Sequence, residues 1–509
     1  MRSLIDARTW PVKNAKRILD RIKQYETKNE IILGSGFGPS GLPHLGTISE
    51  LVRTRMLQYT LQNIQNKPVK IISYCDDLDG LRKVPENVPN QHILEKNIGK
   101  PVSNIPDPFG CCESFAAHNI RKLHELIEQF DLTEHVKVIP VSTLYKSGAY
   151  NNEMLVILQK YQKVLDIILP ILGKERKATY SPFLPISPIS GKVLTTGVIS
   201  HNLTKKTITV KESNEVYDVS IFDGCCKLQW KIDYGMRWAA QKIDYEMYGK
   251  DLISSAEIGS QICELLGEKA PVQMYYEMFL DGSGKKISKS KGNGIDLFQW
   301  LRYAPIHALK HFLYFNPDRA KMLNMDDLPK YIDTYYSALK KYSLKNEDHV
   351  ENALFYVHEK DVPQKIECSY TLLVNLAESV QSPNLNTFQN FVLQRLPDLN
   401  LQLIEKAFTF YQEQYKINER IKVSQWMIKY LQEFLAYMVN HSTADEMQTK
   451  LYDLGNIAVQ AKEVENLKKW FENLYLVLFG RVSGPRLGNF FALYGINNSI
   501  KMINKTLEQ

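Results

Sequence analysis

The sequence predicts an α/β domain built on a parallel sheet, followed by an all-α domain. A short apolar run at residues 30–33 leads into a Gly- and Pro-rich stretch at 34–46, then into a helical pattern and a second apolar run at 69–74. Strand, glycine-rich turn, helix and strand in this order are typical of a parallel sheet. Beyond about residue 330 the apolar residues recur at helical spacing instead. This change of pattern indicates two architectures in one chain.

The first helix is indicated by one apolar stripe whose members lie three or four residues apart: Leu45, Ile48, Val52, Met56 and Tyr59. The second apolar run ends in an acidic cluster at 76–79, and a third strand is expected near 136–141. In such sheets, ligands bind beyond the carboxyl ends of the strands.

The domain organisation follows from two further patterns. Residues from about 170 to 225 are rich in Pro and Gly and include an alternating, strand-like stretch at 207–219, which indicates an insertion in the sheet domain. In the last part, helical spacing is shown by Ile404, Phe408, Tyr411 and Tyr415, and again by Met427, Tyr430, Phe434 and Met438. We therefore predict a sheet domain at 1–330 and a helical domain at 331–509.

Composition excludes several classes of protein. The 509 residues are 44% hydrophobic and 23% charged, with 26 Gly and 22 Pro, which is typical of folded globular proteins. The N-terminal residues lack the apolar core of a signal peptide, and the apolar stretches are too interrupted by charge to span a membrane. Seven cysteines, an odd number, favour a reducing cytoplasm over a disulfide framework. The net charge of +7 permits an RNA partner without requiring one.

The first motif with a chemical implication is GSGFGPSGLPHLGT at 34–47, where a strand passes into a helix. Glycines allow the backbone to approach a phosphate, and a helix N-terminus supplies unpaired N–H groups. His44 adds a donor that can stabilise charge on an oxygen. A glycine-rich loop with an exposed histidine would look the same, so this motif alone is not decisive.

The second motif is KKISKSKGNG at 285–294, after a predicted strand at 271–280. Its four lysines can gather around a triphosphate and stabilise charge on departing pyrophosphate. Most lysine-rich loops are only solvated surface. The presence of both motifs, in this order, favours the phosphate-binding interpretation.

Together the motifs resemble those of a known enzyme class. His44 to Thr47 (HLGT) resembles the HIGH motif, and Lys286 to Ser290 (KISKS) resembles the KMSKS motif, of class I aminoacyl-tRNA synthetases. Five further segments are similar to class I lysyl-tRNA synthetases of the bacterial branch: PSGLPHLG at 39–46, DDLDGLRKVP at 76–85, IPDPFGCCES at 105–114, WKIDYGMRW at 230–238 and GPRLG at 484–488. The resemblance extends from Ala15 to Tyr494. It implies a Rossmann-type catalytic domain followed by a helical anticodon-binding domain.

The resemblance implies an enzyme that uses ATP with Mg²⁺ to activate lysine and transfers it to tRNA(Lys). Catalytic roles are expected for His44, Lys286 and Lys289. The expected ATP-binding residues are Pro39, Ser40, Gly41, His44, Gly46, Thr47, Asp251, Lys286, Ser288 and Lys289. The expected lysine-binding residues are Gly36, Asp77, Trp230, Asp233 and Tyr276. The acids among the latter could accept the substrate's ammonium and the aromatic rings could flank its methylenes.

The sequence departs from the family pattern in two places. Leu252 in GKDL at 249–252 stands where family members usually have His. The segment PISPISG at 185–191 occupies the place of the Cys-x-x-Cys-Gly zinc site of many archaeal relatives, and Ser187 and Ser190 offer no thiolate. We therefore expect no structural zinc there and predict no metal site elsewhere.

Two alternatives remain at this point, a class I synthetase for another amino acid such as glutamate and a tRNA-binding paralogue with weakened catalysis. For either, the sequence leads us to expect a cytoplasmic monomer with no membrane partner. Trp426, Arg486, Phe490 and Phe491 are candidates for contact with anticodon bases, because RNA bases are read by stacking and edge contacts.

Overall fold

The structure, a computed structural model, describes residues 3–24, 28–285, 287, 297–342, 348–359, 361–363, 368–415 and 419–508. The chain forms two compact units. The first comprises residues 1–296, 313–322 and 343–360, and the second comprises 297–312, 323–342 and 361–509. Each unit thus draws segments from both sides of residue 330.

The described strands, in chain order, are β1 (Ile31–Phe37), β2 (Val69–Cys75), β3 (Val136–Pro140), β4 (Phe183–Pro185), β5 (Val198–Asn202), β6 (Thr207–Glu212), β7 (Glu215–Ser220), β8 (Cys226–Leu228), β9 (Tyr245–Gly249), β10 (Val272–Tyr276), β11 (Phe279–Leu280) and β12 (Lys321–Met322).

The described α-helices are α1 (Trp10–Ile22), α2 (Leu45–Ile64), α3 (Gln91–Glu95), α4 (Phe115–Gln129), α5 (Val141–Lys146), α6 (Asn151–Gln159), α7 (Tyr161–Ile168), α8 (Lys174–Thr179), α9 (Trp230–Ala240), α10 (Ile253–Leu265), α11 (Leu297–Tyr303), α12 (Ile306–Tyr314), α13 (Leu328–Lys341), α14 (Ala353–Val357), α15 (Tyr370–Val380), α16 (Leu385–Leu393), α17 (Leu401–Glu413), α18 (Gln425–Met438), α19 (Ala444–Gln460), α20 (Leu467–Phe479), α21 (Leu487–Tyr494) and α22 (Ile496–Leu507). Among the residues described, none of these helices combines the length and apolar character needed to cross a bilayer.

The first unit is built on a five-stranded sheet with the order β10-β9-β1-β2-β3, in which every pairing is parallel. This confirms the predicted parallel sheet. From β1 the chain proceeds outward to β2 and β3, and it later returns to the opposite side of β1 to form β9 and β10. In open α/β sheets, such a reversal opens a crevice at the carboxyl ends of the strands on either side.

Strand β1 is longer than the sequence predicted. The apolar run suggested residues 30–33, whereas the strand continues through two glycines to Phe37. It pairs with β2 along its whole length and with β9 at Leu33 and Gly34. Because these pairings use backbone groups, the strand persists where side-chain pattern gives no signal.

The predicted insertion contains a three-stranded antiparallel sheet, β5-β6-β7, beside the two-stranded pair β4-β8. The alternating stretch at 207–219 is two strands joined by a tight turn in which Ser213 has a φ of 55°. Ile208, Val210 and Val219 are its buried positions. The alternation therefore reflects a hairpin with one buried face.

The second unit is helical throughout its described residues except for connecting segments. Most of the periodic residues lie on its buried faces, with Ile404 and Phe408 on α17 and Met427, Tyr430, Phe434 and Met438 on α18. Tyr411 is only half-buried, and Tyr415, also half-buried, lies beyond the end of α17. The hydroxyl of Tyr370 donates to the carbonyl oxygens of Tyr303 and Lys406, over 2.6 and 2.9 Å, and joins three helices of this unit. The predicted all-α architecture is confirmed.

Candidate active site

His44 lies where β1 passes into α2. It occupies the N-cap of α2, and its Nδ1 accepts the backbone N–H of Thr47 over 3.1 Å. A neutral imidazole that accepts at Nδ1 carries its hydrogen on Nε2. The capping interaction therefore fixes both the ring orientation and a donor at the helix N-terminus, where anions are favoured.

Gly46 is required by the position of that ring. A Cβ at residue 46 would lie 2.7 Å from Cε1 of His44, closer than a side chain tolerates. The loop before His44 is held by Asn119 of α4, which donates to the carbonyl oxygen of Pro39 over 2.8 Å. Ser40 and His44 are exposed, whereas Thr47 is buried beneath the loop. The predicted nucleotide-binding residues 39–47 thus form one anchored turn.

Two of the acids predicted to bind lysine already accept hydrogen bonds from other residues of the protein. Asp77, which follows β2, accepts from the backbone N–H and the hydroxyl of Ser142, over 2.7 and 2.5 Å. Asp233, on α9, accepts from the Tyr145 hydroxyl and from Arg237. Burial raises the pKa of Asp77, and the bonds from Ser142 oppose that shift.

Two buried cations form ion pairs with three of the surrounding aspartates. Arg237 is fully buried and its Nη2 contacts both Asp76 and Asp233. Lys227 of β8, also buried, pairs with Asp79. Asp76, Asp79 and Asp233 thus each have a cationic partner within the protein, although the two cations are fewer than the aspartates around them.

Glu50, on α2, is a buried acid of the crevice that sequence analysis missed. Its Oε1 accepts from the Ser35 hydroxyl over 2.7 Å and from the Gly36 N–H over 3.1 Å, and its Oε2 accepts from the Tyr276 hydroxyl over 3.1 Å. Gly36 and Tyr276 are both predicted lysine-binding residues. Burial raises the pKa of Glu50 to about 7, and these hydrogen bonds oppose the shift. The sequence signal that could have revealed Glu50 was an acidic residue within the predicted helix that follows the glycine-rich turn.

Trp230 begins α9 as a half-buried ring. It stacks on Tyr234 with ring centroids 4.9 Å apart, and the Arg237 guanidinium lies 5.6 Å from its centroid. Leu252 is half-buried and, like Trp230, packs against the apolar core around α9 and α10. Asp251 is exposed in a short turn after β9, and a Cβ at Gly249 would lie 2.7 Å from its Oδ1.

Three predicted phosphate-binding residues, Lys286, Ser288 and Lys289, lie outside the described residues. The chain from residue 28 up to Lys285 is described, and so is Ile287, which lies between them. The N–H of Ile287 donates to the carbonyl oxygen of Phe279 in β11 over 2.9 Å, and β11 follows directly on β10.

Comparison with known proteins identifies the family. The model of a family described as "tRNA synthetases class I (K)" matches residues 8–361. The lysine–tRNA ligase of Rickettsia bellii (strain RML369-C) is 38% identical over 522 residues, which cover 99% of this chain and 98% of that protein. The chain belongs to the class I (K) family of tRNA synthetases. A second relative, the lysine–tRNA ligase of Rickettsia rickettsii (strain Sheila Smith), is also 38% identical, over 524 residues and the same shares of the two chains.

Among solved structures, the synthetase is similar to a glutamate tRNA ligase from Elizabethkingia meningosepticum. The two are 12% identical, the match covers 94% of this chain and 99% of that one, and the TM-score is 0.36. A resemblance of this strength supports no assignment of substrate or geometry.

The synthetase also brings together four possible metal ligands, although the sequence analysis predicted no metal site. The ligand atoms of Asp107, Cys111, Cys112 and His118 all lie within 4.8 Å of one another. Cys111 Sγ is 3.2 Å from Nδ1 of His118, whose ring stacks on Phe109. Sulfur, imidazole and carboxylate donors in this number suit zinc. The spacing of these four residues within 107–118 was the signal that could have revealed them.

The turn at 185–191, for which no zinc was expected, is organised by a carboxylate of the synthetase. The hydroxyls of Ser187 and Ser190 donate to Glu212 over 2.5 and 2.6 Å, and the Tyr217 hydroxyl also donates to it. The N–H groups of residues 189 and 190 donate to the Ser187 hydroxyl.

The four candidates for base contact differ in exposure. Phe490 and Phe491 are buried, with 0% and 1% of their surfaces exposed, and pack inside the second unit. Trp426 is half-buried beside Trp470, and Arg486 is exposed and paired with Asp445. Only Trp426 and Arg486 therefore remain surface candidates.

Proposed function

We propose that this synthetase is a lysine–tRNA ligase, which activates lysine with ATP and transfers it to tRNA(Lys). The observation that carries the proposal is the Glu50 carboxylate, buried at the head of the crevice and bonded to Gly36 and Tyr276. Full-length similarity to lysine–tRNA ligases supports the same substrate.

Glu50 accepts the ammonium of the substrate side chain. Asp76, Asp79 and Asp233 are paired with Arg237 or Lys227, and Asp77 is bonded to Ser142. Glu50 instead has only neutral donors within hydrogen-bonding distance among the described residues. Arg53, also buried on α2, attracts Glu50 through charge and lies over the Tyr276 ring, but it makes no hydrogen bond or ion pair with Glu50 among the described residues. A buried carboxylate without a directly bonded cation favours the entry of one.

The remaining predicted lysine-binding residues form the walls of the site. A Cβ at Gly36 would meet no atom within 4 Å, so space lies open on this face of β1 at the residue whose N–H donates to Glu50. Trp230 and Tyr276 supply aromatic surface for the methylenes of lysine, and the Tyr276 hydroxyl orients Glu50. Asp77 and Asp233 hold the surrounding loop and helix.

ATP is used as its Mg²⁺ complex, and its phosphates lie against the turn at 39–47. The lysine carboxylate attacks the α-phosphorus in line, and pyrophosphate leaves. His44 donates from Nε2 to phosphate oxygen. Lys286 and Lys289 neutralise charge on the departing pyrophosphate, Ser288 donates a hydrogen bond to it, and Asp251 faces the nucleotide. In the second step the terminal ribose 2′-hydroxyl of the tRNA displaces AMP, while the helical unit holds the anticodon arm. We place the enzyme in the cytoplasm, as a monomer.

The proposal is tested by ATP–pyrophosphate exchange with lysine, glutamate or arginine, in the presence and absence of tRNA. Lysine is expected to support exchange, and Glu50→Gln to lower kcat/KM for lysine by at least about tenfold, because it removes a charged contact. Glu128→Gln, on the exposed side of α4, is the matched control. Exchange supported chiefly by another amino acid refutes the substrate. If the protein binds tRNA but supports no pyrophosphate exchange with any of the three amino acids, with or without tRNA, it is a tRNA-binding paralogue that lacks catalysis.

A further inference from the structure

Glu246 of β9 lies beneath the proposed lysine site. β9 pairs with β1 so that Glu246 is opposite Gly34. A Cβ at Gly34 would overlap Oε2 of Glu246, so the side chain extends across the face of β1 at a point where only glycine leaves room. Gly34 and Gly36 share one face of the strand and are about 7 Å apart. The carboxylate is therefore below the opening beside Gly36.

The Glu246 carboxylate is not compensated by an ion pair. Only 1% of the residue is exposed, and its Oε2 makes no hydrogen bond of standard geometry among the described residues, although the Trp238 indole lies near enough to favour the ionised form. No salt bridge to Glu246 occurs in that part of the chain, in contrast to Asp76, which pairs with Arg237. Ionising a carboxyl in such a place costs several kcal/mol unless a cation is nearby. An acid retained in this position calls for an explanation.

The groups that face Glu246 come from four elements: Glu50 on α2; Tyr74 on β2 and Asp76 directly after it; Tyr245 and Tyr248 on β9; and Tyr234, Arg237 and Trp238 on α9. Arg237 is the one cation among them, and it is already bonded to two aspartates. The acids of this set outnumber its cations.

We propose that Glu246 is a specificity-determining residue, which selects a cationic amino-acid side chain through charge while Glu50 makes the direct contact. The proposal rests on the proposed function. Charges in a low-dielectric interior interact over several ångströms, so a second carboxylate below the site strengthens the preference for an ammonium over a neutral group of equal size. Glu246 thus discriminates against uncharged substrates without touching them.

The protonation of Glu246 is consistent with this role. Burial raises its pKa to about 8, although Arg237 opposes the shift. In the empty site, the carboxyl therefore retains a proton near neutral pH. An ammonium entering beside Glu50 favours the ionised form, and the proton is released to solvent as lysine binds.

The test uses the full chain in pyrophosphate exchange with tRNA present. It compares lysine with norleucine, which lacks only the ammonium group at the end of the side chain. Glu246→Gln preserves shape and removes the charge. It is expected to lower kcat/KM for lysine by about tenfold, mainly through KM, and to reduce the lysine-to-norleucine preference by a similar factor. The KM for ATP should stay within about twofold of wild type.

Asp244→Asn is the matched control, since Asp244 directly precedes β9, is fully buried, and is paired with Arg21 and Lys28 far from the crevice. It should lower Tm and leave the lysine-to-norleucine preference unchanged. An unchanged preference in Glu246→Gln, in a protein whose wild type uses lysine, overturns the proposal. A wild type inactive with lysine would instead refute the proposed function.

Should Glu246→Gln fail to fold, calorimetry on the wild type decides the question. Lysine binding at about pH 6.5, measured in buffers of different ionisation enthalpy, should release between one and two protons, because both Glu50 and Glu246 ionise. Release of about one proton or fewer would mean that Glu246 does not respond to the ligand, and would overturn the proposal.

Discussion

The Tyr276 hydroxyl donates a hydrogen bond to Oε2 of Glu50 over 3.1 Å, and this bond joins the end of β10 to α2. The two residues are 226 positions apart in sequence and both are buried. The contact orients the one acid of the crevice that we assign to the substrate ammonium. Its removal should therefore affect lysine more than ATP.

Tyr276→Phe is expected to raise KM for lysine by about three- to tenfold, because a net hydrogen bond is worth about 0.5 to 1.5 kcal/mol. The kcat of pyrophosphate exchange should change little. Tyr275→Phe is a close control, since that neighbouring side chain is 41% exposed. Equal effects of the two substitutions would argue against a role for Tyr276 in the pocket.

Lysine affinity should depend on pH near neutrality. The pKa of Glu50 is raised by burial to about 7, so at lower pH the empty site holds a neutral carboxyl that cannot pair with an ammonium. The KM for lysine is thus expected to rise as pH falls, first below about 8, where Glu246 takes up a proton, and further below about 7, while Glu50→Gln should bind weakly and retain only the Glu246 part of the profile. Measurement of KM from about pH 6 to 8.5 is the check. A KM that falls on acidification would contradict the assignment.

Lys289→Ala should lower the rate of adenylate formation by at least about tenfold, because a charged contact to departing phosphate exceeds about 1.4 kcal/mol. Lysine binding should be much less affected. Single-turnover kinetics separate the two, with the exposed Lys96→Ala as a control for loss of positive charge. Loss of lysine binding with the chemical step intact would place this loop in the amino-acid pocket.

The cluster of Asp107, Cys111, Cys112 and His118 should retain about one zinc ion per chain after purification. Cys111→Ser is expected to lower that content and to reduce Tm, because the metal would hold the 107–118 segment. Cys225→Ser, an exposed cysteine outside the cluster, should change neither quantity. Elemental analysis of the purified protein measures the zinc content. A folded chain without zinc would show that the four side chains serve only as hydrogen-bonding partners.

Leu252→His should raise kcat/KM for adenylate formation by a few-fold, up to about tenfold, if the imidazole restores a polar contact of about 0.5 to 1.5 kcal/mol. The competing effect is loss of apolar packing, since Leu252 belongs to the core around α9 and α10. Unchanged or reduced activity would show that the pocket has repacked around leucine. Comparison with Leu252→Ala separates the loss of packing from the gain of an imidazole.

Much of the fold followed from local pattern. The apolar stripe of α2, the helical spacing on α17 and α18, and the alternation of the insertion are all properties of neighbouring residues. The bounds of β1 were not predictable, because its last residues are held by backbone pairing with strands distant in sequence. The alternating stretch divides into two strands because the chain reverses at Ser213, whose φ is 55°, and the alternation alone did not reveal this turn.

The sequence by itself determined the class of chemistry, since motif residues such as His44 and the lysine-rich loop are consecutive and keep their meaning without coordinates. Only the tertiary structure separates the acids by their neighbours, and this separation underlies our proposal that Glu50 receives the cationic substrate. Asp77, Asp233 and Glu50 are equivalent as sequence letters. They differ because folding places Ser142 against the first, Arg237 against the second, and only neutral donors against the third. The chemistry of a carboxylate depends on such neighbours, and long-range packing alone supplies them.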